Sequence, residues 1–512
     1  MCPMRIHLVY LDPFSIYPPH YSVGVGSVAA VLKREGHEVS LSYVRNDRDA
    51  EDFCRFVEQT RPRVVAFSSM SSMFPWVKKL APMVKRVAPG AFTVCGGVHP
   101  TLEPACLGET DGLDAICRGE GEYPFLNLLE ALEKGQDHSR TESFWCKAQG
   151  EVTRNPLGPL VADLDELPFP DREVFDYEKI CAPGNSVRRC GIPDKRAGEF
   201  LFTRGCPFDC AFCSNRALRD LYPGKYVRFR SVDKAIEELH SMIDRYKLEV
   251  ILLHDDIITL NKKWFYDFFT RYANSICLPF VCNSRVGTCD EDMMRLLKEA
   301  GCHLLVFGVE SGNDYIRNRV LKKGLAREKI IETFALAHRH GIQTLSQNIV
   351  GIPGETPRRF IDTINLNADL EPNIPCIGIF HPYPGTELGK LCVERKLIKN
   401  DEISFVERTD TALELPGFRA NHIRYYHDNF LHLVKRRARG KTRGLFSPER
   451  LIPPYPIFAG IIRRHEEGQR EASPGPFGRT RWALRAVLGE RLYARLRSVR
   501  RKILRNAGSD GT

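Results

Sequence analysis

The chain has 512 residues and a formal charge of +10, with 43% hydrophobic and 27% charged residues. That length exceeds one ordinary core and predicts two or three domains of a globular protein. No apolar run is long enough to span a bilayer, which excludes an integral helical membrane protein.

The opening "MCPMRIHLVYLDPF" lacks a basic region followed by a long apolar stretch, so it reads as a first strand rather than a signal peptide. The expected location is the cytoplasm, where thiols stay reduced. Most of the 17 cysteines stand singly in apolar segments; Cys95, Cys302 and Cys376 read as small buried hydrophobes. Up to about residue 130, strand-like runs ("IHLVYLD", "EVSLSYV", "VVAFSSM", "FTVCGGVHP", "AICRGEGE") alternate with amphipathic helical patterns. That alternation predicts a Rossmann-like, doubly wound parallel sheet. Ligands of such sheets sit beyond the C-terminal strand ends, where "SSMSSM", "GGVHPT" and "GEGE" fall.

Residues 146–195 are richer in Pro and Asp and read as a linker after a first domain of 1–145. Alternation then restarts. Strands at "FLFTRG", "EVILLHDD", "FVCNSRV", "HLLVFGVES", "LSQNIVGIPG" and "CIGIFHPYPG" make six β/α units over 196–397, an open partial (β/α)6 barrel. Polar clusters fall at the C-terminal strand ends, where barrel chemistry sits. Residues 398–512 read as a mostly helical, basic region with one helix around "NHIRYYHDNFLHLVKRRA". Arg479–Arg505 holds ten Lys/Arg against one Glu, and its stripe of Leu484, Leu488, Leu492, Leu496, Val499 and Ile503 makes an amphipathic helix from Trp482 to Leu504. Such a helix packs on the barrel, lies on an anionic membrane surface, or touches nucleic acid; thin aromatic interleaving counts against the last.

"RGCPFDCAFCSN" sets Cys206, Cys210 and Cys213 at C-x3-C-x2-C. Structural zinc asks for four ligands and has no second pair here, with His254 the one histidine to nominate. A redox dithiol needs only two thiols. An iron–sulfur cluster with three protein ligands leaves one iron open, whereas four cysteines are usual. This run, directly after the first barrel strand and with Phe212 before the third cysteine, resembles the radical S-adenosylmethionine superfamily, and Phe200 to Leu397 follows that family's order of elements.

The resemblance implies a 4Fe-4S cluster on the three cysteines and S-adenosylmethionine on its open iron, cleaved to a 5′-deoxyadenosyl radical. It also implies an electron donor such as flavodoxin or ferredoxin. By position it assigns the S-adenosylmethionine site to Phe212, Asp255 and Asp256 of "HDD", Ser284 and Arg285 of "NSR", Glu310 of "GVESG", and Ile349 of "NIVGIPGE". The common motif at "HDD" is Gly-rich, so this chain departs from it. The plainer alternatives are a helix cap for the aspartates, a surface salt bridge for Arg285 and core packing for Ile349.

The front domain resembles the cobalamin-binding class of that superfamily, which includes the anaerobic magnesium-protoporphyrin ester cyclase and hopanoid methylases. On that resemblance Ser68, Ser69, Gly96, Gly97, Gly119 and Glu120 face cobalamin. The D-x-H-x-x-G motif that supplies a histidine to cobalt in classic cobalamin mutases is absent, and His99 reads as a loop histidine. Cys54, Cys95, Cys106 and Cys117 do not match the second cluster of methylthiotransferases. The expected reaction is methylation of an unactivated carbon of a small molecule, with lipids, terpenoids and tetrapyrroles as candidate classes. Methylcobalamin would donate the methyl, and a second S-adenosylmethionine would remethylate the cobalt. The alternatives are radical oxidation or cyclisation without methyl transfer and, from another class, a zinc-stabilised nucleic-acid-binding protein. A basic C-terminal helix on the inner membrane face would suit an apolar substrate.

Overall fold

The computed structural model describes residues 3–13, 19–184, 192, 194–399 and 410–440. The Trp482–Leu504 helix expected from sequence lies outside the described residues.

The first sheet is built from β1 (Arg5–Leu11), β2 (Glu38–Val44), β3 (Val64–Ser68), β4 (Phe92–Gly96) and β5 (Ala115–Cys117). Between and after them run α1 (Val23–Arg34), α2 (Asp47–Thr60), α3 (Phe74–Val87), the short α4 (Val98–Leu102) and α5 (Glu122–Glu133). Two further strands, β6 (Phe144–Ala148) and β7 (Glu151–Arg154), add antiparallel at one edge and carry the sheet past residue 145. The strand order is β2-β1-β3-β4-β5-β6-β7, parallel from β2 through β5. The order reverses between β1 and β3, and a crevice opens at that switch point beyond the strand ends.

Local chemistry explains the elements. In α2 the buried residues Ala50, Phe53, Cys54 and Val57 recur at helical spacing, and the Asn46 side chain caps the helix by accepting the Asp49 N–H. In β3 four of the five residues are buried, as expected of a strand covered on both faces.

A linker carries the short α6 (Tyr177–Ile180) to the second sheet. That sheet takes β8 (Ala197–Phe200), then, after a small ribbon of β9 (Thr203–Arg204) and β10 (Arg228–Phe229), β11 (Val250–Leu253), β12 (Phe280–Ser284), β13 (Cys302–Glu310), β14 (Gln343–Val350) and β15 (Ile374–Ile379). Its order, β15-β14-β13-β12-β11-β8, is fully parallel: six strands of an open barrel. Its helices are α7 (Ser214–Arg219), α8 (Val232–Tyr246), α9 (Lys262–Ser275), α10 (Glu291–Glu299), α11 (Arg327–Arg339), α12 (Pro357–Leu370) and α13 (Glu387–Glu394). Strand alternation sorts the apolar residues. Val250, Leu252, Val281, Leu304 and Val306 form one cluster. Ile251, Leu253, Phe280, Cys282, Leu305 and Phe307 pack with the helices in the main core. A last helix, α14 (Ala420–Arg439), seats Tyr426 and Phe430 against Phe360 of α12.

Of the single cysteines read as buried, Cys95 and Cys302 are. Cys376 is exposed, because β15 is an edge strand and half of each edge strand lacks a packed neighbour. No helix among the described residues is long and apolar enough to cross a membrane.

One apolar cluster runs from β1 through Phe175 and Tyr177 of the linker to β11, so both sheets share a core. A buried ion pair pins the linker inside it. Arg172, 1% exposed, meets Glu238 of α8 at 2.9 Å, donates to the Glu199 carbonyl and stacks on Phe200. Arg230 approaches the same carboxylate at 3.4 Å. Glu238→Ala would leave two guanidinium groups buried without their anion, and should cost about 3–5 kcal/mol in urea unfolding of the full chain.

Candidate functional site

A cavity of about 570 Å³ opens at the β1/β3 switch point. Its front wall is Ser68 of β3, Gly96 and Gly97 after β4, Gly119 after β5, and the first turn of α1 around Gly24. Its other wall belongs to the barrel: Leu201, Gly205, Ser214, Asn215, Tyr222, Tyr226, His254 and Asp256. The lining is mainly apolar with a few polar groups, the usual make-up of a site for a large organic ligand. Gly97 has φ +103, and a Cβ there would stand 2.6 Å from the Ser69 carbonyl oxygen, so only glycine fits that close approach. Gly119 has φ +80 and its Cα faces the Tyr222 hydroxyl, leaving no room for a side chain. Its N–H donates to Thr101, whose hydroxyl donates in turn to the Gly97 carbonyl, so the two glycine turns are tied together.

The three cysteines lie in the excursion between β9 and β10, all partly buried. Cys213 stands at the start of α7. Burial pushes the Cys213 thiol up to about 11 and the Cys206 thiol above its ordinary value. Among the described residues no three His, Cys, Asp or Glu side chains gather around one point for a single metal ion. A cluster takes one sulfur on each iron and does not ask for that gathering. Three thiols on one loop fit such a cluster.

The strand-end residues divide into groups. Asp256 lines the cavity and accepts from Asn215 at 3.0 Å. Asp255 turns away: its carboxylate accepts the Phe202 and Thr203 N–H groups at 3.0 and 2.7 Å and braces the root of the cysteine excursion. Burial raises its pKa to about 6. Arg285 lies 3.9 Å over the Phe208 ring, directs Nη1 toward Cys210 Sγ at 3.8 Å and donates to the Lys323 carbonyl, so it is neither a surface salt bridge nor a free clamp. Ser284 faces the interior, sharing hydrogen bonds with Thr259 and Thr288. Glu310 ends β13 at φ +64 and pairs with Lys323 at 3.0 Å. That backbone is strained for a non-glycine residue and is held by the ion pair. Phe212 and Ile349 join one apolar cluster.

In the front domain Ser69 is buried and its hydroxyl donates to the Met70 carbonyl, outside the cavity lining. Glu120 reaches the cavity, but its carboxylate is filled by protein donors: Arg204, both arms of Arg228, and the Val161 N–H, all between 2.8 and 2.9 Å. Burial opposes its charge, yet the two arginines hold its pKa below the ordinary value. His99 reads from sequence as a loop histidine but lies in α4, buried on Phe74 and hydrogen-bonded to Ser71; burial lowers its pKa to about 4.

Sequence reading missed several groups. Arg204 and Arg228 flank the cysteine excursion, and Tyr222 and Tyr226 lie inside it; "TRGC" and "LYPGKYV" carried the signal. Lys323 is far from Glu310 in no obvious motif. His254, singled out in the sequence only as a zinc candidate, is half exposed in the cavity wall and meets the buried Glu199 at 3.3 Å. Burial works against its charge, but that carboxylate raises its pKa. The Gly24 turn was visible as "SVGVGS" after the first strand.

A family model described as the radical SAM superfamily matches residues 200–366, and one described as a B12 binding domain matches residues 14–129. An uncharacterized methyltransferase of Pyrococcus horikoshii is 30% identical over 404 residues, 78% of this chain and 84% of its own. The anaerobic magnesium-protoporphyrin IX monomethyl ester cyclase of Rubrivivax gelatinosus is 27% identical over 384 residues, 73% of this chain and 66% of its own. The fold is similar to that of the radical S-adenosylmethionine methyltransferase TsrM from Kitasatospora setae, solved with cobalamin and a [4Fe-4S] cluster bound. The TM-score is 0.63 at 17% identity, over 77% of this chain and 78% of that one.

The loop after β14 holds one more buried carboxyl. Glu355 Oε2 accepts the Gly351 and Ile352 N–H groups at 2.8 and 3.3 Å, while Oε1 is buried without a partner. Burial raises its pKa from 4.5 to about 8. Between those values the folded chain holds a proton that the unfolded chain releases, so this group's contribution to stability falls as pH rises. Glu355→Gln keeps an oxygen for both N–H groups and cannot titrate. Melting followed across a pH series should lose the decline between about pH 5 and about pH 8, with the variant melting several degrees above the parent at pH 8.

Proposed function

Because the chain belongs to the radical S-adenosylmethionine superfamily and carries its B12-binding domain, we propose that it transfers a methyl group to an unactivated carbon of a small molecule. The observation that carries this reading is the shared cavity. The crevice of the front sheet and the root of the cysteine loop are two walls of one space. When bound, cobalamin supplies the methyl group, and the cluster with S-adenosylmethionine supplies a radical able to take hydrogen from carbon.

The chain's own residues hold and shield. Cys206, Cys210 and Cys213 would each take one iron, leaving one for S-adenosylmethionine. Phe212, Asp256, Arg285, Ile349 and the Glu310–Lys323 pair would surround that molecule. Asp255 and Ser284 would act behind it, through the backbone and through neighbouring hydroxyls. Ser68, Gly96, Gly97 and Gly119 would let the corrin lie against the backbone, with apolar walls excluding water. Lipids, terpenoids and tetrapyrroles suit those walls. Electrons would come from a flavodoxin- or ferredoxin-type protein. The basic C-terminal segment would rest on the inner membrane face. Radical oxidation or cyclisation without methyl transfer is the second reading, favoured by the likeness to the ester cyclase.

The test is anaerobic purification, cluster reconstitution and an absorption spectrum after adding hydroxocobalamin and desalting. The parent should show a broad iron–sulfur band and retain corrin bands. The triple variant Cys206→Ala, Cys210→Ala, Cys213→Ala should lose the first. A cluster without corrin would sink methyl transfer, and a colourless zinc protein would sink the whole reading. With substrate, the product should gain the mass of one CH2. In liposome flotation with anionic lipid, deletion of 479–512 should abolish floating; an unchanged profile removes the membrane element.

A further inference from the structure

The segment that carries the three cysteines is closed at its base by the β9–β10 ribbon, in which Arg204 and Arg228 are directly opposed partners. Two like charges at such positions repel. One residue from the other domain resolves the conflict. Glu120 binds Arg204 through Oε1 at 2.8 Å and Arg228 through both oxygens at 2.9 Å. With the Val161 N–H, all four acceptor positions of the carboxylate are filled. Arg204 is gripped a second time, by the buried Glu122 at 2.6 Å, which also accepts from Ser27 of α1. Glu120 follows Gly119, whose Cα backs onto Tyr222 in the later part of the same excursion. One glycine–glutamate turn therefore forms part of the front cavity wall, holds both ends of the cysteine loop and touches its returning arm.

We infer that Glu120 is the positioning residue that sets the cysteine loop against the front cavity, so that the cluster and the corrin bind cooperatively. This rests on the functional reading above. A ligand in the cavity fixes the Gly119–Gly121 turn, and through Glu120 it fixes the base of the loop. A cluster in the loop fixes the same turn from the other side. The ordering is needed once for two ligands, and the coupling is reciprocal. Charge alone at position 120 does not supply it, since two oxygens must reach two guanidinium groups together.

The experiment titrates hydroxocobalamin into the full-length chain, before and after cluster reconstitution, and follows the oxidised cluster by Mössbauer spectroscopy. In the parent, reconstitution should tighten hydroxocobalamin binding about tenfold, and hydroxocobalamin should shift the cluster signal. Glu120→Gln should bring the ratio near one and remove the shift, while each site still fills alone. Arg228→Lys keeps the charge but reaches a single oxygen and should give an intermediate ratio, which serves if Glu120→Gln does not fold. A ratio unchanged in these variants overturns the inference. So does weakening by the same factor with and without the cluster, the mark of a merely structural role. A parent that binds both groups with no coupling overturns the inference and leaves the functional reading standing. A parent that takes up no hydroxocobalamin overturns that reading, and the inference with it.

Discussion

The arrangement of the molecule depends on a carboxylate placed between two arginines. Arg228 and Glu122 are almost wholly buried and Glu120 is partly so, and a lone charge in such a place costs several kcal/mol. The network closes because donors match acceptors: two guanidinium groups, two carboxylates, a hydroxyl and a backbone N–H. Neither domain holds a satisfied set by itself. The front sheet contributes the anions and the barrel contributes the cations, so charge pairing across the cavity accompanies the apolar core that the two sheets share.

The same logic governs the barrel mouth. Most of its charges stabilise loops rather than face open space. Asp255 binds two backbone N–H groups, Arg285 lies over Phe208 beside Cys210, and Lys323 fastens Glu310 in a strained conformation while also donating to the Gly308 carbonyl. On its barrel side, Asp256 and His254 join Asn215, Arg204 and Arg228 in the lining of the cavity itself. The result is an apolar space with rigid walls, in which a few polar groups decide orientation.

The two sheets, the six barrel strands and the helix at Ala420–Arg439 were legible in the sequence, because strand and helix periods are local signals. The cysteine loop was legible because its spacing is short. The ion pairs were not. Glu120 meets its arginines across 84 and 108 residues, and nothing in "RGEGE" distinguishes a carboxylate that binds a ligand from one that binds a guanidinium. Asp255 and Asp256 are adjacent and chemically identical. Both lie in the loop beyond β11, where Asp255 turns back onto the Phe202 and Thr203 N–H groups and Asp256 faces the cavity, and no local period separates them. Cys376 was misjudged because edge position is a property of the sheet, not of the residues around it.

The β9–β10 ribbon bears on assembly. It closes its excursion within a couple of dozen residues, whereas the Glu120 contacts close chain segments several times longer. Loop entropy grows with the logarithm of length, so the local closure is cheaper by roughly 1 kcal/mol, before the repulsion between Arg204 and Arg228 that Glu120 relieves. The ribbon thus closes the thiol loop locally, and Glu120 adds the long-range contact that holds both of its ends and offsets the charge of the two opposed arginines.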